Sequence, residues 1–181
     1  MESGCFLSTN QKDGKLKMSS IPISVEGFER VKQYLEELES QRPEVIQAIK
    51  EAREEGDLKE NAGYDAARER QGMLEAKISY IKSRIPDFNV IDLNTMDGEK
   101  VCYGATVRIE NIESGEMKEY TLLGPDETDY VSGSISVFSP VARALLGKEA
   151  GDEAVVIAPK GKIEYEIISI EFRGPQVPPA D

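Results

Sequence analysis

The chain has 181 residues, 22 Lys+Arg against 34 Asp+Glu, a formal net charge of -12 and no histidine. A chain this acidic repels phosphate backbones instead of releasing their counterions, which excludes strong autonomous nucleic-acid binding. The missing histidine removes His-based general bases, triads and metal clusters.

The length allows one or two small domains with a real core. The charge is uneven: residues 26–85 hold 14 acidic and 11 basic groups, residues 86–173 hold 17 and 8. Residues 1–20 begin polar and patternless and lack the apolar stretch of a signal peptide, so they read as a disordered extension, with Met18 as an alternative start. Cys5 and Cys102 form no metal-binding pattern, and no structural disulfide is expected, as in a reducing cytosol. No apolar run approaches the roughly 20 residues that cross a bilayer. The expectation is a cytoplasmic monomer with no membrane partner.

From Glu26 the pattern is helical. Phe28, Val31, Leu35, Leu38, Arg42, Val45, Ile49 and Ala52 follow the 3,4 spacing of a coiled-coil seam. Ser24 is suited to cap the helix start, Pro43 to kink or restart it beside the seam residue Arg42, and Gly56 to end it. A second seam runs through Tyr64, Ala67, Gln71, Leu74, Ile78, Ile81 and Ile85 until Pro86. Two such stripes joined by a few residues must face each other as an antiparallel hairpin. A first helix of ~30 residues would reach roughly 45 Å, far more than a small domain needs for packing.

After Pro86 the texture turns to strands. Val101–Asn111 and Met117–Leu123 flank the turn Glu113-Ser114-Gly115-Glu116. Ser139-Pro140 opens a short helix that Gly147 closes, and Glu153–Ala158 with Lys162–Phe172 form a last hairpin around Pro159-Lys160-Gly161. The reading is therefore α+β. Residues 21–86 form a long antiparallel helical hairpin. Residues 87–173 form a small antiparallel β domain with one short helix, and residues 174–181 a frayed tail.

The candidate chemistry sits between the two helices, in Glu54-Glu55-Gly56-Asp57-Leu58-Lys59-Glu60-Asn61-Ala62-Gly63-Tyr64. Asp57 and Glu60 are three apart; if Asp57 begins the second helix, both carboxylates project from one side of its first turn. The plain reading is a capping box at a helix N-terminus, which favours negative charge. The functional reading notes that a pair of carboxylates with Mg2+ is what phosphoryl chemistry uses, and that a tip without a cleft can act only inside a partner's active site.

The run Gly56-Asp57-Leu58-Lys59-Glu60-Asn61-Ala62 with Tyr64, preceded by Ala48-Ile49 and Ala52-Arg53-Glu54, resembles the bacterial transcript-cleavage factors of the GreA/GreB family. The likeness continues in Ile135-Ser136-Val137 and in Ser139-Pro140-Val141-Ala142-Arg143-Ala144-Leu145-Leu146-Gly147-Lys148, and spans about Ile21 to Phe172. The absence of a broad basic face on the hairpin fits the GreA side of that family. The resemblance implies a coiled-coil hairpin followed by an FKBP-like domain that docks at the secondary channel of RNA polymerase. The acidic tip then reaches the polymerase active centre and stimulates cleavage of backtracked RNA. It implies that Asp57 and Glu60 share a Mg2+ ion with polymerase, that no metal is held by the isolated chain, and that Arg53 and Arg68 contact RNA near its 3′ end. It places Ser139 and Pro140 near the docking surface.

Each role has a structural alternative: a solvated surface side chain or a local pair with Glu54 or Glu69 for the arginines, capping for Ser139-Pro140, hairpin packing for Tyr64, tip structure for Asn61. Gly63 stands where the family usually has an acid, with Asp65 as a partial replacement. The chief competing function is a channel binder that inhibits polymerase without stimulating cleavage, against which the retained Asp57 and Glu60 argue. An FKBP-like prolyl isomerase would need an aromatic-lined pocket, and the chain has no Trp.

Overall fold

The computed structural model describes residues 20–54, 62–128, 133–158 and 161–174. They fall into two compact units: Phe28–Phe88, and the described residues of Met1–Gly27 together with Asn89–Asp181. The stretch up to Gly27, read from sequence as the start of the hairpin region, thus groups with the sheet unit.

In the hairpin unit, α1 (Val25–Ser40) leads into α2 (Arg42–Glu54) and α3 (Ala62–Arg84). The Ser24 Oγ accepts the Gly27 amide at 2.9 Å, capping the first turn of α1 as its position suggests. The α1–α2 break is a single turn residue, Gln41; Pro43 sits at the second position of α2, where a missing N–H leaves no intrahelical bond unmade. Leu38, Val45, Ile49, Leu74 and Ile78 form the buried seam, with Leu35, Tyr64, Ala67 and Ile81 packed against it. Val45 and Ile78 are almost wholly excluded from water. Pro86 closes α3 inside a short 3-10 turn, Ile85–Asp87.

Ion pairs join the two arms of this hairpin in one register. Lys82 Nζ meets Glu39 at 2.6 Å, Arg42 meets Glu75 at 2.7 Å and Arg70 meets Glu44 at 3.0 Å. Advance along α1 and α2 matches retreat along α3, as an antiparallel pair requires. Arg42 thus leaves the apolar seam for a bidentate bond, its Nε and Nη2 donating to the two Glu75 oxygens.

The second unit holds a two-stranded sheet of β1 (Ile21–Ser24) and β2 (Phe88–Ile91), and a five-stranded sheet. The latter contains β3 (Ala105–Asn111), β4 (Met117–Leu123), β5 (Ser134–Ser136), β6 (Glu153–Ala158) and β7 (Gly161–Phe172), in the order β5-β4-β3-β7-β6. In the β3–β4 turn, Asn111 Oδ1 accepts the amides of Glu113 and Ser114, and Gly115 supplies the positive φ. Helix α4 (Pro140–Leu145) contributes Ala142 and Leu145 to a core with Val107, Ile109, Leu122, Val156 and Ile167.

The pairs β3–β4, β3–β7 and β6–β7 are antiparallel, but β5 joins β4 in parallel. The sequence reading was fully antiparallel. A parallel pair cannot be joined by a tight hairpin turn, and ten residues separate Leu123 from Ser134.

Candidate functional site

The antiparallel pairing of α2 and α3 brings the last turn of one beside the first turn of the other. The segment joining them, residues 55–61, contains Gly56, Asp57, Glu60 and Asn61, and lies outside the described residues. The described structure reaches the candidate site at Arg53 on one side and at Gly63, Tyr64, Asp65 and Arg68 on the other. Helix α3 is already formed at Ala62, despite the roughly 1 kcal/mol that Gly63 costs relative to alanine. Asp65 is exposed in its first turn, where a negative charge suits the helix dipole.

Arg53 and Tyr64 meet across the hairpin. The guanidinium carbon of Arg53 lies 5.7 Å from the centre of the Tyr64 ring, within cation–π range. Tyr64 is half-buried against the apolar seam, so one side of its ring packs while Arg53 stays exposed. The phenol is held below its ordinary acidity value of 10.0, first by a hydrogen bond with Arg53 and then, more weakly, by the charges of Arg53 and Arg68; burial and Asp65 oppose the shift. Arg68 donates from Nη1 to Gln71 Oε1 at 2.7 Å on its own helix. The Glu54 carboxylate faces Lys50 at 4.0 Å. Arg53 thus meets Tyr64 and Arg68 meets Gln71, and both arginines are exposed.

Ser139 and Pro140 belong to the other unit. Ser139 Oγ accepts the Ala142 amide at 3.1 Å and Pro140 occupies the first position of α4. The capping alternative therefore accounts for the geometry of this pair, while Pro140 remains exposed.

A functional-looking carboxylate that sequence reasoning missed is Glu127, partly buried in the turn after β4. Glu127 accepts the Ser24 amide at 3.1 Å, the Ser24 hydroxyl at 2.5 Å, the Gly124 amide at 3.0 Å and the Tyr103 hydroxyl. Burial raises the Tyr103 phenol far above its ordinary value, and the negative charge of Glu127 raises it further. Gly124 is needed there because a β-carbon would collide with the Pro22 carbonyl.

Among the described residues no group of three or more His, Cys, Asp or Glu side chains is placed to hold a metal. Cys102 is buried, and its Sγ donates to the Tyr103 carbonyl at 3.6 Å. No helix of the described residues is long and apolar enough to cross a membrane.

Residues 21–90 match the family described as transcription elongation factor, N-terminal, and residues 96–172 match transcription elongation factor, GreA/GreB, C-term. The transcription elongation factor GreA of Nitratidesulfovibrio vulgaris (strain DP4) is 73% identical over 157 residues, covering 87% of this chain and 96% of that protein. That of Solidesulfovibrio magneticus is 67% identical over 158 residues, covering 87% and 96%. The crystal structure of GreA factor homolog 1 (Gfh1) of Thermus thermophilus is similar at 26% identity and a TM-score of 0.40, covering 84% of this chain and 99% of that one. Two matches in chain order, one on each half, define the class as transcription elongation factors. The chain belongs to the GreA/GreB family.

Proposed function

We propose that this chain binds RNA polymerase at the secondary channel and stimulates the polymerase's own cleavage of backtracked RNA. It is an activator, not a nuclease in its own right. The reading rests on one observation: an antiparallel hairpin of a GreA/GreB chain whose connecting segment contains two carboxylates, Asp57 and Glu60.

The donor set fits Mg2+, which prefers hard oxygen ligands and is commonly held by one or two carboxylates with the rest of its shell supplied elsewhere. Asp57 and Glu60 would supply those oxygens, and polymerase carboxylates would complete the set. Held there, Mg2+ would make a bound water more acidic and stabilise negative charge on the departing oxygen. Arg53 and Arg68 pair with transcript phosphates and hold the RNA still. In the net reaction water adds to phosphorus, the RNA 3′ oxygen on the other side departs, and a short 3′ fragment leaves. The sheet unit, with Ser139 and Pro140 at its α4 turn, docks on the polymerase.

The test is a stalled, backtracked elongation complex incubated with Mg2+, with and without the protein, beside free RNA. The expected result is rapid shortening of RNA in the complex and none of the free RNA. Cleavage of free RNA by clean protein, or no acceleration in the complex, overturns the reading. Inhibition without cleavage would assign the channel-plug activity instead.

A further inference from the structure

Tyr64 packs, partly buried, against the hairpin's apolar seam. What the tyrosine adds is a ring face and a hydroxyl, and both are engaged by one neighbour. The Arg53 guanidinium lies over the ring at 5.7 Å, and it hydrogen-bonds the phenol oxygen. Arg53 belongs to the last described turn of α2 and Tyr64 to the first turn of α3, so the contact bridges the two arms where they meet. In sequence Arg53 is four residues before Asp57 and Tyr64 four after Glu60.

We propose that Tyr64 is a positioning residue that holds the Arg53 guanidinium in one place, so that Arg53 meets a transcript phosphate without first having to be ordered. This rests on the cleavage-stimulating reading given above. An exposed arginine has many rotamers, and freezing them on contact weakens any phosphate bond it makes. A guanidinium already held beside an aromatic ring has lost part of that freedom before the RNA arrives, while Arg53 itself stays exposed. Arg68, one helical turn beyond Tyr64, has its own partner in Gln71, so Tyr64 serves Arg53.

The test uses the full chain and a backtracked elongation complex, reading the maximal cleavage rate and the half-saturating factor concentration separately. Unaltered protein is measured first; if it does not stimulate cleavage, the functional reading itself falls, and this proposal with it. Given stimulation, Arg53→Ala and Tyr64→Leu should each lower the maximal rate about fivefold, the scale of one exposed cation–π contact with its hydrogen bond. Tyr64→Phe, which keeps ring and packing, should lose only about half the rate. The half-saturating concentration should not move. The double variant Arg53→Ala/Tyr64→Leu should be no worse than Arg53→Ala alone, because Tyr64 acts through Arg53. In the free protein, the Arg53 Nε–H resonance should lose its ring-current shift in Tyr64→Leu and keep it in Tyr64→Phe. Equal losses from Tyr64→Leu in both backgrounds would make it a packing residue and overturn the proposal. So would an unchanged rate in either single variant, a change confined to the half-saturating concentration, or an Arg53 resonance indifferent to Tyr64.

Discussion

Ser24 gives both its backbone N–H and its hydroxyl to one carboxylate, that of Glu127, 103 residues further along the chain. The same hydroxyl oxygen accepts the Gly27 amide at the start of α1. The anchor thus ties the cap of the first helix to the turn after β4, and Tyr103 donates to it from the loop before β3. Replacing Glu127 with Ala leaves the Ser24, Gly124 and Tyr103 donors without their acceptor, at a cost of about 2 kcal/mol or more. Glu127→Gln keeps the shape but turns an N–H group towards donors, and should recover only part of the loss. Urea denaturation of the two variants checks this; wild-type midpoints in both would show that water replaces the carboxylate at no cost.

The Tyr103 phenol makes the sheet unit sensitive to base. Its proton is held more tightly in the folded chain than in the unfolded one, because burial and the Glu127 charge oppose the phenolate. A raised folded value gives stability that is intact below the ordinary phenol value of about 10 and falls as pH climbs past it, by about 1.4 kcal/mol per unit. Stability measured between pH 8 and 11 should therefore drop in the upper part of the range. Tyr103→Phe should start lower, having lost a hydrogen bond, and should decline less steeply. Parallel curves would place the alkaline loss elsewhere.

Acid should act on the hairpin instead. Hydrogen bonds from Arg42 to Glu75 and from Lys82 to Glu39 hold both carboxyls below their ordinary value of 4.5. A depressed folded value gives stability that is present above the unfolded value and lost as pH falls through the folded one. The thermal midpoint of the helical signal should decline below about pH 4.5. Arg42→Met should flatten that decline and reduce its sensitivity to salt, since partly exposed pairs are screened. The effect should be modest, and an unchanged acid profile would mean that these pairs set register without adding stability.

Local signals were the legible ones. The seam positions Val45, Ile49, Leu74 and Ile78 stand at helical spacing and are buried, and Ser24 and Ser139 look like caps and are caps. The 3,4 pattern also put Arg42 in the seam, but only the register between α2 and α3 reveals Glu75 as its partner. Strands β1 and β5 escape a periodicity reading because four and three residues hold too few alternations. Glu127 escapes because its donors lie at positions 24 and 103, joined only by the fold. Asp57 and Glu60 carry a functional meaning only through the family likeness, because two acids at a helix start are ordinary capping chemistry without it.

That ambiguity has a direct test in Asp57→Asn. Asparagine caps a helix as well as aspartate does, so if Asp57 only caps, the change should be silent. If Asp57 is a Mg2+ ligand, the same change removes a charged oxygen donor and weakens the hold on the ion, so stimulated cleavage at low Mg2+ should almost vanish. Raising Mg2+ should restore part of it by mass action, because the rest of the ligand set is intact. The factor concentration that half-saturates polymerase should stay the same, since docking is assigned to the sheet unit. Glu60→Gln, which keeps side-chain length and one hydrogen-bonding oxygen, should show the same Mg2+ dependence in milder form. The measurement is cleavage rate against Mg2+ at saturating factor for the unaltered chain and both variants. Coincident curves for Asp57→Asn and the unaltered chain would return Asp57 to the status of a cap. A loss of polymerase affinity at full cleavage rate would instead move the docking surface to the hairpin.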